Sequence, residues 1–203
     1  MTHRVTFRLL TLVLAAGASA ATATDAHAQA YVAPLFGVDF GGDSGCPELT
    51  EIPQCQDKQF NYGIAFGAMG GMVGIEQEIA YAHQFFGEAP GLSSSVLTVM
   101  SSVIVGPNLK VLRPYVLFGV GLIKTNIELT PSSLLTLGDN NFGWNTGAGL
   151  FIFFGSHFGI RGDIRYFHTF SNLDTVVIQE SGVTFGGTKL NFGRAAGAVV
   201  FQF

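Results

Sequence analysis

Charge is scarce in this sequence. Only 12% of its 203 residues are charged, where about a quarter is usual for a soluble domain. Lys and Arg together number 10 against 14 Asp and Glu. No surface basic enough to follow a nucleic-acid backbone can be built from that set, so no nucleic-acid partner is expected. Long apolar runs are also missing. Hydrophobic residues make up 48% of the chain, yet beyond the N-terminal stretch no run approaches the roughly 18 residues of a membrane helix. Cysteine is limited to Cys46 and Cys55, and neither a His nor a second Cys pair stands near them with zinc-ligand spacing, so no metal and no cofactor is expected.

What is present begins with a leader. Arg4 and Arg8 precede the apolar stretch Leu9 to Ala16, and both Ala26-His27-Ala28 and Ala28-Gln29-Ala30 have the small-x-small form of a cleavage site. A positive start, a short apolar run and such a site predict a secretory signal peptide over 1–30. The mature chain, 31–203, starts near Gln29 or Tyr31 and is long enough for one domain. In an exported chain, two cysteines as close as Cys46 and Cys55 predict one loop disulfide, formed in an oxidising compartment.

Apolar chemistry without apolar runs points to alternating strands. Eight alternating segments can be marked, at approximately 31–41, 60–70, 72–86, 94–105, 113–128, 142–155, 158–170 and 188–203, with Gly, Ser, Asn or Pro at most breaks. The fourth is apolar on both parities, so its register is weakly specified. The connections at 42–59, 87–93, 129–141 and 171–187 are long, and those between them are short. Long and short connections in alternation are the pattern of a bacterial membrane barrel, with long loops outside and short turns in the periplasm. The chain is therefore read as all-β: a single eight-stranded antiparallel transmembrane β-barrel preceded by a cleaved signal peptide.

Successive strand residues face opposite ways, which sorts the side chains into two sets. In the seventh segment Ile160, Ile164 and Tyr166 oppose Arg161, Asp163 and Arg165; in the third, Ile75, Ile79 and Tyr81 oppose Glu76 and Glu78; in the last, Val199, Phe201 and Phe203 oppose Arg194 and Gln202. The second sets Tyr62, Ile64 and Phe66 against Gly63, Ala65 and Gly67. Small residues suit a narrow interior and large aromatics a lipid-facing wall. Asp39, Glu76, Glu78 and Asp163 are thus expected inside, opposite Arg161, Arg165 and Arg194. Asp39 and Arg194 fall at similar depth on strands that adjoin once the barrel closes. Arg161 and Arg165 are placed to reach Glu76 or Glu78 across the lumen. Unpaired charge there would be costly, so a salt-bridged, filled lumen is expected rather than a wide pore. Lys124, on the outward parity near the long-loop end, is positioned to snorkel toward anionic lipopolysaccharide. Gln77 on the outward face has no explanation in the pattern. Arg161-Gly162-Asp163 spells an adhesion tripeptide, but its charges point inward.

The last strand ends Val199-Val200-Phe201-Gln202-Phe203, which resembles the insertion signal that outer-membrane barrels present to the barrel assembly machinery, through Phe201 and Phe203. Phe158-Gly-Ile-Arg-Gly-Asp-Ile-Arg-Tyr-Phe167 resembles a strand recurrent in small outer-membrane β-barrel proteins of the outer membrane protein A and opacity-protein type. That resemblance implies the bacterial outer membrane as location, and its lipids and lipopolysaccharide as partners. It implies no single activity, since such proteins include adhesins and structural anchors, and any surface ligand is left unidentified. His168-Thr-Phe-Ser171-Asn172 is similar to the His-x-Ser-Asn motif of lipid A deacylases. The similarity implies His168 as base and Ser171 as nucleophile, with Glu180 as orienting acid. The extra residue puts His168 and Ser171 on opposite faces of a regular strand, which only a bulge would remedy. The reading preferred is a non-enzymatic barrel with a structural or surface-interaction role; a deacylase-like hydrolase and a narrow solute channel are the alternatives.

Overall fold

A computed structural model describes residues 28–42, 44, 58–85, 92–109, 111–129, 136–172, 176–178, 183–185 and 189–203. The leader up to residue 27, Cys46, Cys55 and Glu180 lie outside the described residues. Alternation of bulky and small or polar residues produces strands β1 Gln29–Phe40, β2 Lys58–Met69, β3 Val73–His83, β4 Leu92–Val105, β5 Leu112–Leu129, β6 Thr136–Phe153 and β7 Phe158–Asn172. Two short strands follow, β8 Val176–Ile178 and β9 Val183–Phe185, and then β10 Lys189–Gln202. Strands β1 to β7 and β10 pair in sequence and close, β1 against β10, into an antiparallel eight-stranded barrel. Among the described residues, β8 and β9 pair only with each other.

The bounds differ from the sequence reading in instructive places. β3 stops at His83 rather than 86, because Gln84 takes a left-handed backbone (φ 56°). The expected loop over 129–141 is mostly strand: β6 starts at Thr136 and pairs with β5 as far as Glu128. The long connection after β7 carries the β8–β9 hairpin. β4, weakly specified by its own pattern, has an uninterrupted register on both sides, from Val73↔Val105 to His83↔Ser95 and from Leu92↔Leu129 to Val105↔Val116. Two neighbours with clear parity fix what its own pattern left open.

The barrel is inside out relative to a water-soluble one. Phe36, Ile64, Phe118, Ile164 and Phe201 stand exposed on the outer wall, whereas Asp39, Glu76, Glu78, Arg161, Arg165 and Arg194 are buried in the lumen. Parity alone is compatible with either arrangement; an exposed apolar wall around a charged interior is what a lipid environment selects. Among the described residues no helix is long and apolar enough to cross a membrane, so strands are the elements that could.

Candidate functional site

Eight strands leave a lumen just wide enough for side chains to fill it. Here the filling has three layers. Toward the short-turn end lies an apolar layer that includes Leu35, Met69, Ile104, Phe151 and Val200. Toward the long-loop end lies a second, including Phe85, Val96, Met100, Ile123, Phe167 and Phe192. The ions sit between them: along β10 the inward order from the turn end is Val200, Arg194, Phe192.

Two arginines of β7 organise the ionic layer. Asp163, two residues from each on the same strand face, accepts Arg161 Nε at 2.8 Å and Arg165 Nε at 2.9 Å. Across the lumen, Glu76 of β3 takes Arg161 Nη1 on Oε2 and Arg165 Nη2 on Oε1 at 2.9 Å. Glu78 lies 3.0 Å from Arg165 Nη1, 3.6 Å from Arg161 Nη2 and 3.5 Å from Arg194 Nη1, and so joins the β7 arginines to Arg194. Arg194 pairs with its direct cross-strand neighbour Asp39 through Nε at 2.7 Å and Nη2 at 3.1 Å, and donates to Thr98 Oγ1 at 3.0 Å. Asn61 Nδ2 adds a bond to Asp39 at 2.9 Å. All seven charged residues singled out from the sequence belong to this assembly.

The apolar layers hold the ions from both sides. The Arg194 guanidinium lies 4.9 Å from the Phe167 ring centroid and 5.7 Å from that of Phe192, while Arg161 lies 5.5 Å from Phe151. Cation–π contact of this kind is strengthened when the cation is desolvated.

A tyrosine–glycine–acid row recurs twice. Tyr31, Gly67 and Glu76 are successive cross-strand neighbours on β1, β2 and β3, and so are Tyr115, Gly149 and Asp163 on β5, β6 and β7. In each row the tyrosine reaches over the glycine and donates to the acid, Tyr31 to Glu76 and Tyr115 to Asp163, the latter at 2.7 Å. A Cβ on Gly149 would lie 2.5 Å from the Tyr115 hydroxyl and 2.6 Å from Asp163 Cβ. Only glycine leaves that path open. The tyrosines were not singled out from the sequence, because the signal joins residues two strands apart and requires the register.

Arg113 was also missed. It is a fourth lumen arginine, at the turn end of β5, buried, with Nη2 donating to the carbonyls of Gly70 and Gly71 in the β2–β3 turn. Its position at the edge of a segment, beside Pro114, reads as turn.

The remaining sequence candidates are dispersed. His168 stands on the outer face against Trp144 and Tyr166, at ring-centroid distances of 5.8 and 6.4 Å. Its Nδ1 is buried without a hydrogen-bond partner, Ser171 included. The β7–β10 register does slip here, Asn191 pairing with His168 and Lys189 with Asn172. Even so, Ser171 lies exposed at the rim, its carbonyl accepting from Thr169 Oγ1 at 3.0 Å. Lys124 is exposed on the outer face, opposite Leu97 and Asn140. Gln77 finds its partner in Ser101, to which its Nε2 donates at 2.6 Å. Phe201 is outward and packs on Phe158 at 6.0 Å, and Phe203 is exposed.

Comparison with known proteins agrees with this geometry. The family model described as "Outer membrane protein beta-barrel domain" matches residues 9–195. Among solved structures, Neisserial surface protein A superposes with a TM-score of 0.61 at 13% identity, covering 86% of this chain and 97% of that one. Ail, the attachment invasion locus protein of Yersinia pestis, gives 0.52 at 14% identity, covering 87% and 98%. A major outer membrane protein from Thermus thermophilus gives 0.51 at 12%, covering 87% and 100%. At these identities the likeness is one of fold. No curated protein matches the sequence.

Proposed function

This chain belongs to the outer membrane protein β-barrel domain family and sits in the bacterial outer membrane, and from that premise we propose that it is a non-conducting, non-enzymatic barrel whose work lies at its outer loops. The observation that carries the reading is the three-layered filling of the lumen. Four carboxylates and three arginines locked in mutual ion pairs between two apolar layers leave little for a permeating ion to replace its hydration shell with. The long connections then face outward and the short turns face the periplasm, as in other bacterial barrels. On this reading the connection between β1 and β2, for which the sequence predicts a disulfide between Cys46 and Cys55, is the region offered for surface interaction. Lys124, exposed on the wall near that side, is available to lipopolysaccharide phosphates. Phe201 and Phe203 supply the assembly machinery with its recognition strand. Cleavage after Ala28 would keep Gln29, whose side chain accepts from Gln202 at 2.7 Å, and so would leave β1 whole.

Planar-bilayer recording of the refolded protein tests the proposal. The expected trace is a quiet baseline at moderate voltage. Discrete, reproducible conductance steps would overturn the closed-lumen reading and favour the narrow channel.

A further inference from the structure

The periplasmic mouth of the barrel holds an arginine on terms unlike those of the middle layer. Arg113 is 2% exposed, and its Nε is buried with no hydrogen-bond partner. It bonds, among the described residues, two neutral carbonyls, those of Gly70 and Gly71. Among the described residues no carboxylate lies within ion-pair distance of it, whereas Arg161, Arg165 and Arg194 each have at least two. A buried cation without a counter-charge is strongly unfavourable. It borders a cavity of about 230 Å³ whose other polar walls, among the described residues, are Gln29, Asn108, Ser156 and Gln202. These are three amides and a hydroxyl, with no acid among them. At roughly 30 Å³ per water, the cavity takes a tetrahedral oxyanion and several waters.

We propose that this cavity is a binding site for a phosphate-type oxyanion, with Arg113 as its charge and the surrounding amides and hydroxyl as neutral hydrogen-bonding groups. Guanidinium is the side chain best matched to phosphate oxygens, and hydrogen bonds between ions are the strong ones. The site lies at the level of the turns, Gly70-Gly71 on one side and Ser156 on the other. With short turns toward the periplasm, as the proposed orientation has it, that end meets the inner-leaflet headgroups, so the phosphate can be free in the periplasm or borne by a phospholipid. The site is separate from the ionic layer and does not depend on whether the lumen conducts.

The test is an NMR titration of the refolded full chain with inorganic phosphate in phosphate-free, non-ionic detergent micelles. Saturable shifts in the side-chain amides of Gln29 and Gln202 are expected. Arg113→Gln should weaken the apparent affinity by about tenfold or more, the value of a hydrogen bond to a charged group. Because Arg113 also holds the Gly70-Gly71 turn, Ser156→Asp serves as a second variant. It lies in an exposed turn, leaves Arg113 in place and supplies an internal carboxylate that should displace phosphate, while heat-modifiable gel migration verifies a closed barrel. Loss of the shifts in folded Ser156→Asp supports the site even if Arg113→Gln does not fold. Absence of saturable shifts in the wild type, or unchanged affinity in Ser156→Asp, overturns it. Repeating the titration in phosphatidylglycerol nanodiscs separates the sources: suppression of the shifts identifies a headgroup as occupant, and persistence identifies a free anion.

Discussion

The middle of the lumen and its short-turn mouth both bury arginine, but on opposite terms. In the middle, three arginines and four carboxylates satisfy one another, and each arginine contacts two or more acids. At the mouth, Arg113 bonds the Gly70 and Gly71 carbonyls and, among the described residues, has no carboxylate beside it. A buried charge with its partners present stabilises a particular geometry; one without them invites a ligand. The difference shows that burial alone does not tell structural from available charge. The inventory of counter-charges does.

Substitution can break this contrast most sharply at Arg165, which contacts Glu76, Glu78 and Asp163. Arg165→Met leaves three carboxylates short of a cation, and a loss of about 3–5 kcal/mol is expected. Arg113→Met strands only two carbonyls, for about 1–3 kcal/mol. Urea unfolding of both variants in lipid vesicles gives the comparison, and equal losses would dissolve the distinction. An intermediate effect is expected for Gly149→Leu, where the added side chain meets Tyr115 and Asp163. Overpacking there should cost about 1–3 kcal/mol and lower the urea midpoint, while Gly162→Ala, at an outward position where an added Cβ comes no nearer than 4.0 Å to the Ala196 carbonyl oxygen, should leave the midpoint unchanged. The smallest effect belongs to the outer wall. Replacing Gln77 and Ser101 together by Leu and Ala removes a polar pair facing lipid. Because both partners go at once, the same unfolding assay should register a change near zero or slightly stabilising.

Much of this was legible before any coordinates. The period of two placed Asp39, Glu76, Glu78, Arg161, Asp163, Arg165 and Arg194 on one face, and loop lengths suggested which ends of the strands face which side. What stayed hidden depends on register between strands far apart in sequence. Tyr31 and Tyr115 carry no local mark that separates a lumen tyrosine from one in an interfacial girdle. Their role appears only when Gly67 and Gly149 fall between them and an acid. Gln77 looked like a flaw because its partner, Ser101, lies on β4, the strand whose two faces are equally apolar. Arg113 was obscured by the turn beside it. His168 and Ser171 lie apart, as the extra residue between them already implied along the chain.

One consequence of the ionic layer concerns the order in which the barrel can be made. Glu76 on β3 finds its cations on β7, and Asp39 on β1 finds Arg194 on β10, across the seam where first and last strands meet. In an open sheet Asp163 keeps its cations on its own strand, but Glu76, Glu78 and Asp39 have none on a neighbouring strand, and inserting it into hydrocarbon would mean burying them bare. The charges become tolerable only together, when first and last strands meet. Closure is thus made all-or-none: the side chains that fill the finished lumen also penalise every partly assembled form of it.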